Sequence, residues 1–299
     1  MKQDFRSGFV AIVGRPNVGK STLVNHLVGH KIAIVSDKPQ TTRNRIQCVL
    51  TRSDAQVIFL DTPGIHKPRH KLGEYMVQVA QEALEGVDCI LFLVDGAAGI
   101  GYGDRKIAEQ LAKVEAPVIL VVNKVDRITH EQILTTLAPT PDLGDFQHIF
   151  PISAKTGYNV PELLDVVIGL MPPGPMYFPS GEISDHPEQF VMAELIREQA
   201  LRFTRDEVPH ALAVVVDAVE RREDKDLVDV QATIYVERDS QKGIIIGKQG
   251  NMLKVIGSEA RREIEALLGS QVFLQLAVKV NENWRKEPKV LRRFGYVNE

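Results

Sequence analysis

The chain is poor in cysteine, poor in aromatics and without long apolar runs, and each shortage removes a class of protein. Two cysteines in 299 residues, Cys48 and Cys89, give neither a disulfide framework nor metal-ligand spacing. Both lie in apolar stretches, where a thiol acts as a small buried hydrophobe. Aromatic residues make up 6%, and Trp284 is the single tryptophan, so any stacking surface has to be local. No apolar stretch is long enough for a membrane-spanning helix. The short apolar run from Phe9 to Val13, with Asp4 before it, does not have the form of a secretory signal, and a cytoplasmic location is expected.

What is present is ordinary in amount and uneven in placement. Hydrophobic residues at 44% and charged residues at 25% describe a folded chain and exclude disorder as a whole-chain state. The length suggests two domains rather than one oversized core. The formal charge is −3, but residues 1–180 are neutral, with 18 basic and 18 acidic side chains. Residues 181–241 carry 7 basic and 15 acidic side chains, net −8, whereas residues 242–299 carry 11 and 6, net +5. A polyanionic partner would therefore meet the last segment.

Five short runs rich in Val, Ile and Leu read as strands: Phe9–Val13, Gln56–Leu60, Cys89–Val94, Val118–Val122 and His148–Ile152. Their near-continuous apolarity suits a parallel sheet covered on both faces. Helical patterns over Lys20–Val28, Leu72–Leu84, Asp104–Lys113, His130–Leu137 and Val160–Leu170 alternate with them, which predicts a doubly wound α/β domain over 1–172. Four prolines in Met171–Pro179 end the pattern, and 173–186 reads as a stiff linker. Residues 187–299 read as an α+β domain. Its elements are a helix at Glu188–Phe203, strands at Ala211–Ala218 and Val228–Val236, a helix at Asn251–Leu268 and an alternating strand at Val272–Val280.

The first candidate site is Gly14-Arg15-Pro16-Asn17-Val18-Gly19-Lys20-Ser21, a full match to G-x-x-x-x-G-K-S/T placed between a strand and a helix that continues through Thr22. Such a loop turns backbone N–H groups inward as an anion nest at a helix N-terminus. Lys20 would reach the β- and γ-phosphates, and Ser21 would offer its hydroxyl to Mg²⁺. Asp61-Thr62-Pro63-Gly64 follows an apolar strand, with Asp61 facing the Mg²⁺ shell and the Gly64 amide near the γ-phosphate. Asn123-Lys124-Val125-Asp126 follows another strand. The Asp126 carboxylate suits the paired donors of guanine, which adenine lacks, and so selects GTP and GDP. Ser153-Ala154-Lys155 follows the last strand and could bring a backbone N–H to the guanine O6.

In this order and spacing the four motifs resemble those of translation-factor-class GTPases over residues 8–170, which implies binding of GTP with Mg²⁺. The resemblance asks for a switch threonine, and Thr41 and Thr42 are the candidates, with Thr42 favoured as ligand to Mg²⁺ and the γ-phosphate. Ile65 stands where Ras-like enzymes place a water-orienting glutamine, and an aliphatic side chain cannot orient water, so slow intrinsic turnover is expected. Lys20, Thr42, Asn17 and Gly64 are then the candidate catalytic residues. Several GTPases of this kind carry an Asn at the position of Asn17 that helps hold K⁺, while a loop-bracing role is the alternative. His66, Lys67, Arg69, His70 and Lys71 could also assist, or form an ordinary solvated loop.

The second candidate site is Gly243 to Gly250, which precedes the late helix. Gly247-Lys248-Gln249-Gly250 fits the GXXG loop of KH domains, which clamps the backbone of about four nucleotides. Ile244–Ile246 form an apolar turn before it, and Lys254, Arg261 and Arg262 make the following helix basic. The element order becomes α-β-β-α-α-β, that of the second KH topology. Gly243, Ile246, Gly247, Lys248, Gln249, Gly250 and Lys254 are candidate RNA contacts, with Trp284 and Arg285 as a possible stacking pair. The alternative for Trp284 is simple packing onto the domain. Lys286, Lys289, Arg292 and Arg293 could equally form a solvated face or dock on an anionic membrane.

A GTPase domain followed by a KH domain resembles the Era family of bacterial GTPases over essentially the whole chain. Supporting segments are Pro39–Arg43, Asp61–His66, Phe203–His210 and Lys242–Gly250. The resemblance implies binding to the 3′ region of 16S ribosomal RNA, assistance in 30S subunit maturation, peripheral association with the inner membrane face, and a monomer. Two other readings compete: a GTPase regulator whose C-terminal domain docks on membrane or protein, and a nucleic-acid chaperone with a merely structural P-loop.

Overall fold

The computed structural model describes residues 5–38, 41–65, 68, 70–138, 140–222 and 225–296. It divides into two units. The first comprises Met1–Ala33, Thr42–Pro68 and Met76–Asp185; the second comprises Ile34–Thr41, Arg69–Tyr75 and His186–Glu299.

The first unit is built on a six-stranded sheet in the order β2-β3-β1-β4-β5-β6. Its strands are β1 (Arg6–Gly14), β2 (Ile46–Thr51), β3 (Ala55–Asp61), β4 (Cys89–Asp95), β5 (Val118–Asn123) and β6 (His148–Pro151). All neighbours are parallel except β2, which runs antiparallel to β3. The helices are α1 (Lys20–Val28), α2 (Lys71–Glu82), α3 (Tyr102–Leu111), α4 (His130–Leu137) and α5 (Val160–Leu170). Every residue of β3 and β5 is buried, as the continuous apolar runs required. Both cysteines are buried too, and burial pushes the Cys89 thiol up to about 12 and the Cys48 thiol well above its usual value. Neither is a reactive thiolate.

Strand β2 has no counterpart among the strands expected from the sequence. It is a half-buried edge strand in which Gln47, Leu50 and Thr51 are only partly covered, so it lacks the continuous apolar signature. The proline-rich stretch differs as well. Residues 173–185 of the expected stiff linker 173–186 fall within the first unit and are hydrogen-bonded along it. The Ser7 amide donates to the Pro172 carbonyl at 3.0 Å, and the Gly174 amide to that of Phe5 at 3.0 Å. Gln56, fully buried, accepts from the amides of Tyr177 and Phe178 at 2.7 and 2.9 Å. Its Nε2 donates back to the Phe178 carbonyl at 2.9 Å. Further on, the Val49 amide donates to the Ile183 carbonyl at 2.9 Å, which covers the open edge of β2.

The second unit packs α6 (Glu188–Phe203), α7 (Asp239–Ile246) and α8 (Asn251–Leu268) on a three-stranded sheet. Strands β7 (Ala213–Arg221) and β8 (Leu227–Val236) are antiparallel; β9 (Gln271–Val280) adds in parallel to β8. A short α9 (Pro288–Arg293) follows. The order α-β-β-α-α-β is the one read from the sequence. Its core joins Leu195 and Ile196 of α6 with Ile256, Ala260 and Ile264 of α8 and Val230 and Ile234 of β8. Helix α6 is buried from Val191 to Leu201 on all sides, including Glu194, Arg197 and Glu198, so it is less amphipathic in space than its sequence suggests.

Candidate functional site

The phosphate loop leaves β1 at Gly14 and enters α1 at Lys20, beside the point where the strand order reverses. Lys20 is buried and its Nζ donates to the carbonyls of Gly14 and Arg15 at 3.2 and 3.1 Å. Burial pushes its pKa down to about 8, against the opposing pull of Asp61. A phosphate oxygen beside Nζ would raise it again by favouring the charged form. The Arg15 side chain serves a different purpose: its Nε pairs with the buried Asp104 at 2.7 Å, tying the loop to α3. Asn17 is exposed and takes a positive φ of 65°. Val18 is 2% exposed and anchors the loop in the interior.

Three oxygen-bearing side chains from distant parts of the chain meet next to Lys20. Ser21 Oγ donates to Asp61 Oδ2 at 2.8 Å, and Thr42 Oγ1 lies 3.0 Å from Ser21 Oγ and 3.3 Å from Asp61 Oδ2. Burial holds the Asp61 carboxyl above its usual range, opposed by Lys20 and by hydrogen bonds from the two hydroxyls. Asp61 Oδ1 is buried and accepts no hydrogen bond among the described residues. Hydroxyl and carboxylate oxygens with one unsatisfied buried lone-pair site fit a hard divalent cation such as Mg²⁺. The Thr41 hydroxyl is engaged elsewhere, its Oγ1 donating to the Lys38 carbonyl at 2.6 Å.

The segment after β3 is pinned down. Thr62 Oγ1 donates to the Ile12 carbonyl at 2.7 Å, and Pro63 and Gly64 are buried. A Cβ on Gly64 would stand 2.7 Å from the Pro16 nitrogen, so only glycine allows this approach to the phosphate loop. Ile65 packs against the apolar core, in keeping with the absence of a water-orienting side chain there. His66, Lys67, Arg69, Pro39 and Gln40 lie outside the described residues. His70 Nδ1 accepts from the Gly73 amide at 3.0 Å, and Lys71 pairs with Glu74 at 2.7 Å, both local contacts of α2.

The loops at Asn123–Asp126 and Ser153–Lys155 are braced in the same manner. Asn123 Nδ2 donates to the Val18 carbonyl at 2.8 Å, and its Oδ1 accepts from the amides of Lys124 and Ala154 at 2.8 and 2.9 Å. Lys124 Nζ bridges the Asn17 carbonyl and Asp95 Oδ2, each at 2.6 Å. Asp95 is a residue the motif reading missed; its position at the end of β4, level with Asn123, was the available signal. Ser153 Oγ donates to Asp126 Oδ1 at 2.7 Å, which orients an exposed carboxylate. Val125 is buried beneath them, and the Ala154 amide is used within the protein.

In the second unit the glycine turn links α7 to α8. Gly247 has φ +70°, and a Cβ there would strike the Met252 Cβ at 2.6 Å, so the turn needs glycine twice over. Lys248 and Gln249 are exposed, as are Gly243 and Lys254, while Ile246 packs on the core. Beside the turn lies a cavity of about 540 Å³ lined by Gly250, Leu253, Lys254, Gly257, Phe273 and Leu276. Phe273, 49% exposed, is an aromatic absent from the candidates read from the sequence, because it falls on the phase of β9 opposite the alternating aliphatic residues.

Trp284 corrects the stacking expectation. It is 0% exposed, donates from Nε1 to the Ala211 carbonyl at 2.9 Å, and packs against Tyr296 and Phe294. A ring enclosed in this way has no face to offer a base. Arg285 is engaged by Glu237 at 2.5 Å, so its charge is largely neutralised. Lys286, Lys289, Arg292 and Arg293 remain exposed.

Two family models match the chain. Residues 9–124 match the family model described as 50S ribosome-binding GTPase, and residues 207–285 match that of the KH domain. Fold and site together define a P-loop GTPase carrying a C-terminal KH domain. The GTPase Era of Alkaliphilus oremlandii (strain OhILAs) is 54% identical over 292 residues, covering 98% of this chain and 99% of that one. A crystal structure of Era in complex with MgGDPNP and nucleotides 1506–1542 of 16S ribosomal RNA superposes with a TM-score of 0.95 at 41% identity. It covers 98% of this chain and all of that one. Era of Aquifex aeolicus, as a point variant bound to GDP·AlF4⁻, gives the same TM-score, identity and coverage. The chain belongs to the GTPase Era family and is a GTPase.

Proposed function

We propose that the chain is a GTP-hydrolysing switch that binds the 3′ region of 16S ribosomal RNA through its KH domain and assists maturation of the 30S subunit. The observation that carries this reading is the presence of two complete sites in one chain: the Lys20, Ser21, Thr42 and Asp61 cluster, and the GXXG turn beside its cavity. An Era with 41% identity that was crystallised with MgGDPNP and 16S nucleotides supports the assignment of both ligands.

Ser21, Thr42 and Asp61 would hold Mg²⁺, which supplies neutralisation of charge on the phosphates when bound. Lys20 and the loop amides bind the β- and γ-phosphates and stabilise charge as the terminal phosphoryl leaves. The Gly64 amide and Thr42 order around the γ-phosphate and relax once it is gone. Ile65, which follows Gly64, is aliphatic and cannot position water, which supports slow turnover by the chain alone. Asn17, exposed at the rim of the phosphate loop, would help hold K⁺ as a second cation. Equal turnover in KCl and NaCl at matched ionic strength would remove K⁺ from the account.

The exposed basic residues from Lys286 to Arg293 support a peripheral contact with an anionic membrane face, with the protein acting as a monomer. No helix among the described residues is long and apolar enough to cross a membrane. The direct test of the RNA assignment is binding of a fluorescent single strand matching the 16S 3′ end against a scrambled strand. Preference for the matching strand that Lys248→Glu reduces supports the KH reading. Equal binding of both strands, abolished by salt, would leave only a nonspecific basic patch.

A further inference from the structure

The segment Ile34–Thr41 lies in sequence between α1 and β2 yet is part of the second unit, and α6 holds both of its ends. Ile34 is 1% exposed and sits in the same apolar core as Val191, Leu195 and Ile196. The Val35 amide donates to Glu198 Oε1 at 2.9 Å. At the far end, Arg197 Nη2 donates to the Thr41 carbonyl. Glu194, one turn earlier, grips the same guanidinium with both oxygens, at 2.7 Å from Nε and 2.5 Å from Nη2.

Arg197 is fully buried. A buried ion pair contributes little net stability compared with an apolar pair of similar volume. What the guanidinium alone supplies here is a rigid, always-charged donor fixed on one carbonyl. That carbonyl belongs to the planar peptide joining Thr41 to Thr42. Fixing its direction restricts the rotation that aims the Thr42 side chain, whose Oγ1 already lies 3.0 Å from Ser21 Oγ.

We propose that Arg197, braced by Glu194, is a positioning residue for the switch: it fixes the Thr41–Thr42 peptide and thereby sets the preference of the protein for GTP over GDP. The inference rests on Thr42 acting as the ligand to Mg²⁺ and the γ-phosphate. By linkage, whatever the γ-phosphate does to Thr42 is felt at α6, the helix that packs beside α8 and its GXXG turn.

The test measures affinities of the full-length protein for fluorescent GDP and a fluorescent non-hydrolysable GTP analogue in MgCl2. The variants are Thr42→Ala, the paired Glu194→Met/Arg197→Met, the three changes combined, and Arg197→Lys. Changing the pair together removes one buried charge of each sign, but Glu198, also buried on α6, loses the Coulombic support of Arg197, so nucleotide-free thermal unfolding checks that the fold survives. Thr42→Ala should lose on the order of tenfold in GTP-analogue affinity with GDP changed less than about twofold, and the paired variant should show the same selective loss. Combining them should add little, because both act through one group. Arg197→Lys should restore part of the preference even if the paired variant folds poorly. Equal losses for GDP and the GTP analogue, or losses that multiply, would overturn the assignment. If Thr42→Ala itself fails to discriminate, the switch-threonine reading falls and takes this inference with it. If it discriminates and the paired variant does not, only Arg197 loses its role.

Discussion

At the nucleotide site nearly every functional side chain is engaged by another part of the chain, whereas at the GXXG turn the functional side chains stand in solvent. Asn123 alone fastens the phosphate loop, its own loop and the Ala154 loop together. Lys248 and Gln249, by contrast, project from a turn whose shape depends on the backbone at Gly247. The difference follows from the ligands. A nucleotide is small and must be held to a fraction of an ångström for phosphoryl transfer, so its site is preorganised. A single RNA strand is long and adaptable, and its site needs reachable charge and backbone access rather than a rigid cage.

This contrast sets the order of expected effects. Lys20→Ala removes the buried cation of the phosphate loop and should lower kcat/KM for GTP by on the order of a thousandfold, with nucleotide-free RNA binding retained. Steady-state phosphate release and RNA anisotropy on one preparation check both halves. Trp284→Ala should cost about 3–5 kcal/mol of folding stability, seen in denaturant unfolding. The folded fraction should bind RNA within about twofold of the parent; a large loss of RNA affinity at unchanged stability would return the ring to the RNA site. Asp126→Asn should weaken guanine nucleotide binding by about a hundredfold, because a carboxamide cannot accept from both guanine donors. The smallest effect should come from the open site. Lys248→Glu should weaken RNA by about tenfold and flatten the salt dependence, with GTP hydrolysis unaltered.

The two regions also differed in how much of them the sequence revealed. The nucleotide motifs were legible because phosphate and guanine chemistry demand particular residues at fixed local offsets, such as Gly19 before Lys20 or Asp126 after Asn123. The helices of the KH domain were legible from periodicity, and α6 and α8 fall where it placed them. Long-range pairings were not. Nothing near Gln56 announces that it will hold Tyr177 and Phe178 across more than a hundred residues. The burial of Arg197 was hidden because a charged side chain on a helix reads as a solvent-facing position. Trp284 was ambiguous for a related reason: its neighbours in sequence are polar, and its packing partners Tyr296 and Phe294 come from the far end of the tail.

The central claim is that the occupant of the braced site alters the open one. It is tested most directly by titrating the full-length protein with a fluorescent strand matching the 16S 3′ end, once saturated with GDP and once with a non-hydrolysable GTP analogue, at two salt concentrations. The account predicts tighter, sequence-dependent binding in the GTP form at both salts. Identical affinity in the two nucleotide states would contradict it, and would leave a GTPase and an RNA-binding module that share a chain without sharing a switch.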